Sequence, residues 1–150
     1  MTSAQAPLRF LGTWKLTHAS PGFPGKPWLS SLKSGVATFT QESGGIRYNF
    51  DGEDSNGKAI HESCLCPTDG CWVPSTESAL GIIDHDQASI RLCEDGSLEL
   101  NLQSQGTQTG VITTAISADG QTMTRSWAYQ GPYDDRPPWR VQASATFARQ

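Results

Sequence analysis

The chain has 150 residues, a formal net charge of −4, 17% charged residues, fifteen glycines and nine prolines. That length fits one domain spanning 1–150, and the acidic balance offers no basic face for nucleic acid. No segment approaches the roughly 20 consecutive apolar residues that a membrane-spanning helix needs. Met1 to Leu8 hold neither a cationic nor an apolar stretch, so the sequence predicts no secretory signal. The expectation is a cytoplasmic protein with reduced cysteines.

In chain order, Phe10 to His18 alternates with period two: Trp14, Leu16 and His18 share one face, and Thr13, Lys15 and Thr17 the other. Lys26 to Gly35 predicts a short helix, with Pro27 at its first position and Gly35 as its stop. Trp28, Leu29 and Leu32 would form its apolar face. Val36 to Gln41, the turn Ser43-Gly44-Gly45 and Ile46 to Asp51 read as a hairpin in which Ile46, Tyr48 and Phe50 share a face. Lys58 to Cys66, Leu80 to Ile83, Ala88 to Cys93 and Leu98 to Gln103 follow as strands, with Asp69-Gly70 and Asp95-Gly96 as turns. Thr107 to Ser117, Thr122 to Tyr129 and Trp139 to Arg149 complete the set, with Asp119-Gly120 as a corner. The pattern predicts an all-β domain, a single antiparallel up-and-down barrel of about eight to ten strands with one or two short helices. Closure removes the exposed edges that so many antiparallel strands would otherwise leave.

Gly12-Thr13-Trp14-Lys15-Leu16 resembles the opening strand of the calycins, the group that includes lipocalins and fatty-acid-binding proteins. In those chains the indole of the Gly-x-Trp plugs the closed end of the barrel. Asp51 to Lys58, His61, Asp69-Gly70, Pro74 and Thr76 resemble a family of bacterial lipocalin-like proteins, and Ser117-Ala118-Asp119-Gly120-Gln121-Thr122-Met123-Thr124 is the most specific match. The resemblance spans nearly the whole chain and implies a lipocalin-like barrel with an internal cavity. It implies no reaction, since that family shares no activity. The Cys64-Leu65-Cys66 segment and the aromatic, proline-rich loop 130–139 depart from it.

Met123, Arg125, Trp127 and Tyr129 share a face of a late strand, predicted to point inward because Trp and Tyr favour burial with a satisfied polar tip. Arg125 would then offer a guanidinium to a carboxylate, enol or carbonyl oxygen, between aromatic walls. Trp28, Tyr48, Phe50 and Leu100 join Arg125, Trp127 and Tyr129 as candidate ligand-binding residues. If the protein is an enzyme, His18, Glu62 and Arg125 are its candidate catalytic residues, with Glu62 as a buried base. His85, between Asp84 and Asp86, reads as a solvated turn, and His61 as a cross-strand surface partner or a cavity residue. Val141, Ala143, Ala145 and Phe147 are expected inward, with Arg140 at the rim or surface. Cys64, Cys66, Cys71 and Cys93 lack the spacing of a zinc site and read as free thiols.

No nucleophile elbow, phosphate loop or dinucleotide fingerprint is present, so no cofactor and no metal are expected. The first reading is a barrel that binds a small, mostly apolar organic molecule with a carboxylate, enol or carbonyl group. The alternative is a cofactor-independent isomerase, cyclase or dehydratase of specialised metabolism acting in the same cavity. A third is an interaction domain with a filled core. The expected partner is that small-molecule ligand or substrate, with no nucleic acid and no membrane; a homodimer is left open. The segments 20–35 and 130–139, carrying Trp28, Tyr133 and Trp139, are expected to form the mouth.

Overall fold

A computed structural model describes residues 8–19, 32–43, 45–54, 57–75, 85–130 and 136–150. Ten strands account for most of them: β1 (Gly12–Ala19), β2 (Leu32–Glu42), β3 (Gly45–Asp54), β4 (Ala59–Cys66), β5 (Val73–Pro74), β6 (Gln87–Leu92), β7 (Leu98–Ser104), β8 (Thr107–Ile116), β9 (Thr122–Tyr129) and β10 (Val141–Arg149). All pairings are antiparallel, and the hydrogen-bonded order is β4-β3-β2-β1-β10-β9-β8-β7-β6-β5. The first and last strands therefore join each other, and the sheet curls until β4 lies against β6. Among the described residues no hydrogen-bonded ladder joins those two, so the barrel is nearly closed, with one seam. No helix among the described residues is long and apolar enough to cross a membrane.

Alternation fills the interior. Trp14, Ala37, Phe39, Ile46, Tyr48, Phe50, Ile90, Leu102, Ile112, Met123, Trp127, Ala145 and Phe147 are buried, each from the inward set of its strand. The Asp-Gly and related turns behave as their chemistry demands: Gly57, Gly70, Gly96, Gly106 and Gly120 all have positive φ.

Four expectations are corrected. The helix over 26–35 lies mostly outside the described residues, but Leu32 to Gly35 belong to β2. Gly35 is there as a close-approach residue rather than a helix stop, since a Cβ on it would sit 2.3 Å from the Phe50 ring. Val141 is 58% exposed because the register with β9 slips between Val141 and Ala143: Val141 pairs with Ala128 and Ala143 with Trp127. That bulge moves Val141 to the outer face while Ala143, Ala145 and Phe147 stay buried. A second bulge, between Leu16 and His18, pairs Leu16 with Phe147 but His18 with Thr146, and turns His18 out into solvent. Trp139, expected exposed in a loop, is buried. Trp28 and Tyr133 lie outside the described residues.

One end is closed by Trp14. Its Nε1 donates to the Phe10 carbonyl at 2.8 Å, and the Arg149 guanidinium lies 4.2 Å over its ring. Arg149 donates in turn to the carbonyls of Leu11, Arg9 and Gly120. Arg9 reaches the carbonyls of Ser117 and Ala118. The Ser117-Ala118-Asp119-Gly120 turn is thus a structural brace at the plugged end. Its own geometry is fixed by Asp119 accepting from Ser117 Oγ and from the Gln121 N–H.

Candidate ligand-binding site

Arg125 is the centre of the interior. It is only 3% exposed, on β9, opposite Thr114 of β8 and Ala145 of β10. Its Nε donates to Thr114 Oγ1 at 3.1 Å and its Nη1 to the Tyr48 hydroxyl at 2.6 Å. The guanidinium stacks near three rings, 4.4 Å from the Tyr48 centroid, 5.4 Å from Trp127 and 5.8 Å from Phe39. These contacts offset part of the cost of burying a charge. These bonds use two of the five N–H donors that a guanidinium carries.

The cavity next to it is lined by Tyr48, Glu62, Ser63, Cys64, Ser75, His85, Leu100, Leu102, Ile112, Arg125 and Trp127. It encloses about 20 Å³, room for roughly one water molecule. A second void of about 10 Å³ also borders Arg125, among Phe39, Ile46, Cys66, Ile90 and Leu98. Tyr48, Cys64 and Leu100 border both. Contributions from β4, from Ser75 just after β5 and from His85 just before β6 place the first void along the seam.

The polar inventory is uneven. Trp127 is 1% exposed, and its indole N–H is buried with no acceptor among the described residues. Such an orphan donor on a cavity wall is rare enough in folded proteins to require an account. Glu62 is buried on the same wall, and Ser75 Oγ lies 3.3 Å from His85 Nε2. Burial raises the Tyr48 phenol far above its ordinary range, with the Arg125 charge pulling the other way. Burial likewise pushes Tyr129 up to about 12.

Alkaline titration follows from those two phenols. Below about pH 10 they are neutral in the folded and unfolded chain alike, so they add no pH dependence. Above it the unfolded chain loses its protons first, and stability falls as pH rises from about 10 toward 12. Urea midpoints measured between pH 9 and 12 are expected to decline in wild type and to decline less in Tyr129→Phe. Parallel slopes in the two would show that Tyr129 is not the source.

The structure brings Tyr48, Glu62, Leu100, Arg125 and Trp127 to one cavity. Phe50 and Tyr129 are buried but do not line it, and Phe50 instead fills the space over Gly35. His18 is outside, so His18, Glu62 and Arg125 do not form one cluster. His61 is exposed and bonded to Asp51 at 2.6 Å. His85 and Ser75 were missed. Two flanking aspartates made His85 look solvated, yet the backbone of Asp86 is tied to both sides. The Asp86 carbonyl accepts from the Ser75 N–H, and the Asp86 N–H donates to the Gln103 carbonyl, turning the preceding residue toward the cavity. No local sequence signal carries that information.

Neither a protein-family model nor a curated protein matches this sequence. Solved structures do match in shape over nearly the full chain. A Schistosoma mansoni fatty acid binding protein in complex with arachidonic acid aligns over 95% of this chain and 96% of its own, at 14% identity and TM-score 0.61. The apo Caenorhabditis elegans lipid binding protein 8 aligns over 99% and 100%, at 9% identity and TM-score 0.57. A zebrafish ileal bile acid-binding protein complexed with cholic acid aligns over 95% and 98%, at 11% identity and TM-score 0.50. The fold is a calycin-like barrel. At these identities the likeness concerns the fold.

Proposed function

We propose that this chain binds a small, mostly apolar organic molecule through one acidic or carbonyl oxygen group held at Arg125. One observation carries the reading: the buried guanidinium of Arg125 and the buried indole of Trp127, whose N–H has no acceptor among the described residues, line the same cavity. A carboxylate brings several acceptor sites on two oxygens, enough to serve both donors. The ligands named with two of the similar structures are acids as well. The void is small, so a ligand larger than water enters by parting the walls. The β4–β6 seam is where this costs least, because among the described residues no ladder hydrogen bonds have to break there. The reading takes residues 1–150 as one domain of the bacterial lipocalin-like type, working in the cytoplasm with its thiols reduced.

The test is calorimetric titration of the delipidated protein with straight-chain acids of increasing length and the matching alcohols. Saturable one-to-one binding of an acid, about tenfold or more tighter than its alcohol, is the expected result. Equal affinities for acid and alcohol, or no binding at any chain length, would reject it.

A further inference from the structure

Two thiols face the interior beside Arg125 and take no part in the reading above. Cys64 and Cys66 lie two residues apart on β4, where side chains two positions apart share a face. Cys64 stands opposite Tyr48 in the β3–β4 ladder, is half-buried and borders both voids around Arg125. Cys66 is fully buried and borders the inner void. The wall therefore presents a sulfur to both voids that Arg125 borders, the first of them also lined by Trp127. We propose that Cys64 is a nucleophile that captures electrophilic ligands, specifically α,β-unsaturated carbonyl compounds bearing an acid group, with Arg125 holding the oxygen end.

The neighbouring Cys66 thiol holds the Cys64 thiol below its ordinary range, and the Arg125 charge adds to this against burial and Glu62. Cys64 in turn, with burial, raises Cys66. Arg125 borders both voids that Cys64 borders, and a neighbouring cation favours the thiolate, the form that reacts. The other two cysteines border neither void. Asp69 beside Cys71 raises its thiol, and Cys93 Sγ sits 3.5 Å from a Glu99 carboxylate oxygen, to which it donates.

In the reaction the Cys64 sulfur forms a bond to the β-carbon of the enone, and the C=C π pair moves onto the carbonyl oxygen as an enolate. The Arg125 and Trp127 N–H groups stabilise that charge. The α-carbon then takes the proton that the thiol pair or solvent supplies. The net change is addition of S–H across C=C, with nothing oxidised and no leaving group.

The orienting part rests on the ligand reading above; the nucleophile does not. Reduced full-length protein is treated with trans-3-benzoylacrylic acid or its neutral methyl ester, and adducts are followed by intact mass and peptide mapping. The expected result is a single early adduct on Cys64, at a rate at least about tenfold above Cys71 or Cys93, with the acid faster than the ester. Cys66→Ala is expected to slow Cys64 several-fold by removing the neighbouring thiol. Label appearing first on Cys71 or Cys93 would overturn the nucleophile while leaving the acid-binding reading intact. Cys64-selective labelling at equal rates by acid and ester would keep the nucleophile and overturn Arg125 as its anchor.

Discussion

Trp14→Ala is expected to destabilise the barrel by about 3–5 kcal/mol, the range for removing a fully buried large aromatic side chain. Trp14 has no exposed surface, and its loss opens the plugged end rather than a site where neighbours can collapse. It also removes the ring that Arg149 stacks on and the N–H that satisfies the Phe10 carbonyl. Arg149 ties the carbonyls of Arg9, Leu11 and Gly120 together at that end, so disorder there spreads to the turn at 117–120. Urea unfolding followed by circular dichroism measures the effect. Trp14→Phe separates its parts: it retains most of the packing and loses the hydrogen bond, so its cost should exceed the Ala deletion nowhere and fall nearer about 1–2 kcal/mol. A midpoint unchanged in Trp14→Ala would mean that the indole is not the plug.

Period-two alternation made much of this fold legible because burial on one face acts on every second residue of a strand. On β9 the choice was all or none: once Trp127 turns inward, Arg125 and Tyr129 must follow unless a bulge intervenes. The same rule failed on β10 and β1, where bulges at Val141/Ala143 and Leu16/His18 do intervene. A bulge inserts one residue at small local cost and leaves no compositional mark, yet it reverses the faces beyond it. His18 was misplaced for that reason. Gly35 shows a different failure: a glycine that ends a helix and a glycine that lets a ring lie on bare backbone are the same letter. The partner that distinguishes them, Phe50, comes fifteen residues later in the chain and pairs with Ala37 across the β2–β3 ladder. Pairings of that kind, like the one that turns His85 inward, are decided by tertiary structure.

Arg125→Met is expected to weaken an acidic ligand by about 1.5–3 kcal/mol, the worth of charge-assisted hydrogen bonds, and to leave a neutral isostere of that ligand nearly unaffected. The difference arises because the guanidinium is already buried, so its desolvation cost falls on folding rather than on binding. Methionine fills a similar volume between the Tyr48 and Trp127 rings and carries no charge to be stranded, and replacing a buried ion by an apolar side chain is often neutral for stability. The variant should therefore fold, and thermal melts run alongside the titrations check that it does. Arg125→Lys gives the sharper contrast. It keeps the charge but loses the planar fork that lets Nε reach Thr114 while Nη1 reaches Tyr48. If charge alone holds the ligand, Lys restores acid affinity; if the fork positions it, Lys binds nearly as weakly as Met. Because the fork also stacks against aromatic faces, we expect the second outcome. A Met variant that folds and binds acids as tightly as wild type would remove Arg125 from the site altogether.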